Sequence, residues 1–226
     1  MDHPEFRYAE SRNPYWKKLH DLKTLVYSDN ETETHRGSWK KTIRGEKLHV
    51  ELGCNAGHVI LEWAARNPRD AYIGIDWKFK PIFRGAEKAQ KRGLGNLAFF
   101  RAHSERISLM FAPGEVDFLY LFFPDPWPKK AHLKNRFINP ERLRAIAPIL
   151  SRDGVFHIKT DHRAYFDWMI QSLEKVKDVW KILESTTDLH REHPAPETLE
   201  IPDVTLFERL FIKDGIKINS VKLKRA

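Results

Sequence analysis

Apolar and polar positions alternate along this chain in two rhythms. Residues 48–52, 71–75, 97–101, 116–123 and 154–160 are short apolar runs, long enough for a buried strand and too short for most helices. Between them, residues 59–66, 80–92, 104–111, 140–150 and 162–176 predict helices. Asn67-Pro68 and Gly93 stop the first two, and Asn139 is placed to cap the fourth. Two late runs, 179–183 and 205–212, read as strands with no convincing helix between them, which predicts an antiparallel pair at one edge. Strand–helix alternation at this spacing gives an α/β fold, a seven-stranded mostly parallel sheet with an antiparallel edge strand and helices on both faces. Residues 1–45 form an N-terminal arm, polar but carrying Phe6, Tyr8, Tyr15 and Trp16. Residues 30–37 lack apolar side chains and read as a mobile loop. The expected division is therefore a partly flexible arm, 1–45, and a single α/β domain, 46–226.

Two cofactor folds share this order of elements: S-adenosylmethionine-dependent methyltransferases and nicotinamide dinucleotide-binding proteins. The loop after the first strand separates them. A dinucleotide fingerprint needs glycine at its first, third and sixth positions, whereas here Gly53 is followed by Asn55 and His58 at the other two. What remains is Glu51-x-Gly53-x-x-x-Gly57, suited to a ligand with an ammonium and a ribose but no phosphates. Glu51 can support the loop or meet the cation, and the glycines admit the amino acid end. Asp76, closing the second strand, can accept from both ribose hydroxyls, because a carboxylate offers two acceptor oxygens. After the third strand, His103 or Ser104 is placed to meet the adenine edge.

The fourth strand runs into Pro124-Asp125-Pro126-Trp127-Pro128. Each proline lacks a backbone donor and fixes its own φ, so the chain leaves the sheet in a stiff loop. Ligands of open α/β sheets collect outside the carboxyl ends of the strands, which makes Asp125 a site candidate. Trp127 between two prolines is a core lid or a base-stacking platform, and packing is the favoured role. Directly after come Lys129, Lys130, His132, Lys134 and Arg136, a cationic cluster suited to phosphates.

Composition sharpens the partner. Lys and Arg total 39 against 31 acidic residues, a formal charge of +8 with a pI near 9.5, which favours a polyanion such as nucleic acid. One cysteine, Cys54, leaves no internal disulfide framework and fits a reducing compartment. No secretory pattern opens the chain and no apolar run reaches membrane-spanning length, so a soluble cytoplasmic protein is expected. His190 and His193 lack a third ligand, and no metal site is expected. Nothing calls for a membrane or an obligate protein partner, and a monomer is the expectation.

Taken in order, Glu51-Leu-Gly53, Gly74-Ile-Asp76, Phe123-Pro-Asp-Pro-Trp-Pro-Lys129, Thr160-Asp161 and Thr205-Leu-Phe-Glu208 resemble the bacterial tRNA (guanine-N7-)-methyltransferases, a class I S-adenosylmethionine-dependent, Rossmann-like family. The resemblance extends over residues 48–211. It implies that Glu51, Asp76, His103 and Asp125 line the S-adenosylmethionine site, with Gly53 and Gly57 in its loop. It further implies that Lys129, Asp161, Thr205 and Glu208 address the guanine, and that residues 131–136 contact RNA. This sequence departs from the family pattern at His103, where Asp or Asn is usual, at Leu206, where Lys is usual, and at Ala131 and Asn135, which dilute the basic run.

The chemistry suits these groups. Guanine N7 carries a free lone pair on the major-groove edge and needs no deprotonation before it attacks a sulfonium methyl. Asp125 is therefore not an obligatory general base; its expected work is to hold the cofactor's amino acid end and to stabilise positive charge developing on the purine. Carboxylates at Asp161 and Glu208 can accept from the guanine N1–H and amino group, Thr205 can add a contact, and Lys129 can meet O6 or a phosphate. Asp161 can equally cap the helix that follows it, and Glu208 can sit in an ion pair. Two other functions stay open from the residues alone. An amino-group methyltransferase carries a related D-P-P-aromatic motif after the same strand, and a catalytically silent RNA-binding module would keep the sheet without binding the cofactor.

Overall fold

The computed structural model describes residues 13–192 and 204–226. Among the described residues, eight strands form one sheet: β1 (Val26–Ser28), β2 (Leu48–Leu52), β3 (Ala71–Asp76), β4 (Leu97–Arg101), β5 (Val116–Phe122), β6 (Leu150–Thr160), β7 (Trp180–Thr186) and β8 (Asn219–Arg225). Their order is β1-β4-β3-β2-β5-β6-β8-β7. Neighbours from β1 to β6 are parallel, and β8 runs antiparallel to both β6 and β7. The helices are α1 (Trp16–His20), α2 (Trp39–Ile43), α3 (His58–Arg66), α4 (Phe79–Lys91), α5 (Ile107–Met110), α6 (Pro140–Ile146), α7 (Arg163–Glu174), α8 (Leu189–Glu192) and α9 (Leu206–Lys213). One core joins a sheet face to α2, α5, α6 and α7, and the other joins the opposite face to α1, α3 and α4. The central strands are apolar on both sides because both faces are covered: β3 and β4 are buried throughout.

Three expectations are corrected. The sheet has eight strands rather than seven, because Val26–Ser28 of the arm adds an edge strand beside β4. Residues 29–33, which overlap the expected mobile loop of 30–37, form a 3-10 turn closed by a capping box between Ser28 and Glu31. Thr32 is buried there, Asp29 pairs with the buried Arg101, and Arg106 pairs with Glu33 and hydrogen-bonds Asn30. Residues 206–213 are helical, not extended: the Thr205 hydroxyl accepts from the Glu208 backbone N–H while the Glu208 carboxylate accepts from that of Thr205. That reciprocal box satisfies two donors at a helix start. The final strand is 219–225 instead, and the antiparallel strand β8 lies inside the edge strand β7. Phe6, Tyr8 and His193 lie outside the described residues.

Candidate active site

Pairing registers bring the carboxyl ends of β2 to β6 to one edge of the sheet. Leu52 stands beside Ile75 and Leu121, Asp76 beside Arg101, and Phe122 beside Lys159. Glu51, Asp76, His103, Asp125 and Asp161 therefore collect at one end, as the topology of an open α/β sheet requires of a ligand site.

Glu51 and Asp76 form its most buried part. Asp76 accepts from the backbone N–H of Asn55 at 3.1 Å and of Lys78 at 2.9 Å, which fixes its carboxylate between the glycine loop and the start of α4. Burial nevertheless raises its pKa. Glu51 accepts from the Ile60 backbone N–H, and burial, reinforced by the nearby Asp76, pushes its pKa up to about 8. Its Oε2 is buried without a hydrogen-bond partner among the described residues. An orphaned carboxyl oxygen beside a second acid is a cost to the fold that a cationic ligand removes. This pair of acceptors thus fits the ammonium and ribose of S-adenosylmethionine.

The two glycines have different reasons. Gly53 has φ of +71° and open space where a side chain would stand. At Gly57, with φ of +66°, a Cβ would lie 2.7 Å from the Phe99 ring. Gly57 therefore serves packing beneath the loop, whereas Gly53 leaves room above it.

Beyond β4, His103 lies nearly parallel to Trp77, ring centroids 5.7 Å apart at 14°. Burial lowers the His103 pKa, which favours the neutral ring that can both donate and accept. Trp77 is 41% exposed and directly follows Asp76. It escapes a reading based on polar motifs, although its place after a strand-end acid is the available signal.

Asp125 is exposed on the loop beyond β5. That loop is held in sparsely populated backbone geometry, with φ of 53° at Phe123 and 42° at Trp127. Trp127 is half-buried and meets His132 edge-on at 5.6 Å. Lys129, Lys130 and Lys134 are exposed, whereas Arg136 is buried and donates to the Pro126 carbonyl at 2.8 Å. Arg136 is thus corrected from a phosphate contact to an internal one, because its guanidinium is turned into the protein.

Asp161, half-buried, follows β6, and the cap of α7 is His162, whose Nδ1 accepts from the Tyr165 N–H. The capping role open to Asp161 is therefore filled by its neighbour. Glu208 behaves differently from the expectation. It is fully buried, Lys159 Nζ lies 3.1 and 3.2 Å from its two oxygens, and His190 Nε2 lies 3.0 Å from Oε1. With the Thr205 N–H added, its acceptor positions are spent inside the protein. Neither Thr205 nor Glu208 is presented to a base in this arrangement; both anchor α9, whose Phe211 packs 5.4 Å from Phe123 of the motif loop. Among the described residues no cluster of His, Cys, Asp or Glu could hold a metal ion, and no helix is long and apolar enough to cross a membrane.

The family model Methyltransf_4, described as "Putative methyltransferase", matches residues 45–220. A Bacillus cytotoxicus tRNA (guanine-N(7)-)-methyltransferase is 34% identical over 193 residues, 85% of this chain and 86% of that protein. A bifunctional glycosyltransferase/methyltransferase of Fusobacterium nucleatum is 32% identical over 94% of this chain, which spans only 33% of that longer protein. Among solved structures, the 16S rRNA methyltransferase KamB superposes with a TM-score of 0.58 at 18% identity, covering 87% of this chain and 93% of that one, a likeness of fold. Sheet order, acidic strand ends and these matches agree: the chain belongs to the tRNA (guanine-N7-)-methyltransferase family of S-adenosylmethionine-dependent methyltransferases.

Proposed function

We propose that this chain transfers a methyl group from S-adenosylmethionine to N7 of a guanosine in the variable loop of tRNA, as a cytoplasmic enzyme. The observation that carries the reading is the meeting, at one sheet edge, of a cation-seeking carboxyl pair, Glu51 and Asp76, with the Asp125 loop and its exposed lysines. Bound S-adenosylmethionine supplies an electrophilic methyl on a sulfonium. Glu51 meets the positive end of the ligand, Asp76 accepts from the ribose hydroxyls, and Trp77 with His103 flanks the adenine. Asp125 stabilises positive charge as it develops on the purine, an electrostatic task in a preorganised loop. N7 already holds its lone pair, so no side chain has to remove a proton first.

Asp161 and Lys129 are the base-reading groups in this reading: a carboxylate accepts from the guanine N1–H and amino group, and an ammonium donates to O6. Thr205 and Glu208 act behind them by fixing α9 and Lys159. Lys130, His132 and Lys134 meet RNA phosphates, which position the substrate without reading its sequence. Transfer assays on unmodified tRNA, paired with cofactor titration, test this. Methylated guanosine in the wild type and its loss in Asp161→Ala are expected. Absence of S-adenosylmethionine binding would favour the silent RNA-binding module, and cofactor binding without transfer to any competent tRNA would contradict the proposed reaction.

A further inference from the structure

The loop from Phe123 to Pro128 is stiff, yet its strained backbone has to be held from outside. Three of its residues are prolines without an N–H, and two others, Phe123 and Trp127, have positive φ without being glycine. Its entry is tied to the sheet by the Phe123 N–H, which donates to the Lys159 carbonyl at 2.8 Å. Its middle is tied by a side chain: Arg136 Nε donates to the Pro126 carbonyl at 2.8 Å, one residue beyond Asp125.

Arg136 is itself unusually well fixed. It is 5% exposed, and its guanidinium carbon lies 4.9 Å from the Tyr165 ring centroid and 5.0 Å from that of Trp168, both on α7. Its carbonyl accepts from Asn139 Nδ2 and Arg142 Nη1, each at 3.2 Å. The same two aromatics grip the chain two residues on: the Tyr165 hydroxyl accepts from the Ile138 N–H at 3.1 Å, and Trp168 Nε1 donates to the Ile138 carbonyl at 3.1 Å. A buried cation is costly unless its surroundings compensate it. Here the compensation comes from a neutral carbonyl and two aromatic faces, an arrangement suited to a planar guanidinium and not to a compact ammonium.

We propose that Arg136 is a positioning residue for methyl transfer: it carries the rigidity of α7 across to Pro126 and so fixes where Asp125 stands. The proposal rests on the reading of Asp125 as a group of the transfer site. In-line transfer depends steeply on alignment, and a displacement of about 1 Å can cost about a hundredfold in rate. Arg136 therefore acts on turnover, whereas the exposed Lys134 acts on RNA affinity.

The test compares Arg136→Lys, Arg136→Gln, Trp168→Leu and Lys134→Ala in the full chain. Arg136→Gln and Trp168→Leu are expected to lower kcat at least tenfold, with tRNA Kd and its salt dependence at wild-type values, and Arg136→Lys to recover part of the loss. Lys134→Ala is expected to raise tRNA Kd and to flatten the dependence of log K on log salt. Amide hydrogen exchange over residues 122–130 reads the loop independently of turnover: faster exchange in Arg136→Lys and Arg136→Gln supports the proposal even if wild-type tRNA transfer, the arm that tests the function itself, is absent. Unchanged exchange in both Arg136 variants overturns it. So does an Arg136→Gln variant that keeps wild-type kcat and loses tRNA affinity and salt dependence as Lys134→Ala does.

Discussion

Lys159 at the end of β6 bridges both carboxylate oxygens of Glu208 on α9, at 3.1 and 3.2 Å, with 6% and 0% of the two side chains exposed. This pair, with the Thr205–Glu208 box, attaches a helix on which three apolar side chains, Leu206, Phe207 and Leu210, are exposed while Glu208 is buried. The fully buried contact that holds α9 is this inward charge, supplemented by Phe211 against Phe123.

Removing one partner of such a pair leaves an uncompensated buried charge, and Glu208→Ala should cost about 3 kcal/mol of stability. Replacing both partners, Lys159→Met with Glu208→Met, should recover most of that loss. Thr205→Ala removes only the cap and should cost about 1 kcal/mol. Urea denaturation of the four proteins checks the series. Full stability in Glu208→Ala, with turnover lost, would return Glu208 to the guanine.

Glu51 links cofactor binding to pH. Its pKa in the unliganded fold, about 8, lies above the ordinary carboxyl value of 4.5, so between these values the folded state holds a proton that the unfolded state has lost. The associated stability is fully present below about pH 4.5 and declines as pH rises through about 8. A cationic ligand favours ionised Glu51, so binding should release a proton and S-adenosylmethionine Kd should fall as pH rises from 6 towards about 8. Calorimetry in buffers of different ionisation enthalpy measures the release. Glu51→Gln should abolish it, weaken binding, and stabilise the unliganded protein above pH 8; a Kd independent of pH in the wild type would refute the linkage.

Asp125→Asn keeps the shape of the side chain and removes its charge. Loss of electrostatic stabilisation should lower kcat by about a hundredfold. Because N7 needs no base, the wild-type kcat at saturating substrates should be level from pH 6.5 to 8.5. An Asp125→Asn enzyme with normal turnover and normal cofactor affinity would remove both roles assigned to the carboxylate.

Trp77 offers an exposed ring beside His103. Stacking on a base is worth about 1–3 kcal/mol, so Trp77→Ala should raise S-adenosylmethionine Kd about tenfold, and Trp77→Phe much less. Equal affinity in the wild type and Trp77→Ala would place the adenine elsewhere.

The sheet from residue 48 to 160 is legible because its strands, β3 and β4 buried throughout, read as compact apolar runs between glycine and proline stops. Legibility fails where tertiary partners decide. Val26–Ser28 is too short to signal a strand and exists through pairing with β4. The run from Leu206 to Ile212 carries enough apolar residues to pass for a strand, yet Thr205 and Glu208 stand at capping-box spacing, a local signal for a helix. Charge patterning places Lys130 and Lys134 on the surface correctly but gives no warning that Arg136, in the same run, turns inward onto Tyr165 and Trp168. Motif order brings Glu51, Asp76, His103, Asp125 and Asp161 to one edge, whereas the inward commitment of Glu208 depends on Lys159, 49 positions away.

Two versions of one tRNA test the central claim most directly, one with guanosine and one with 7-deazaguanosine in the variable loop. Each is incubated with the full chain and labelled S-adenosylmethionine, then digested for nucleoside analysis. The account predicts 7-methylguanosine from the first and no methylated product from the second, which lacks the attacking nitrogen. Absence of 7-methylguanosine from the first, or equal labelling of both, would contradict it.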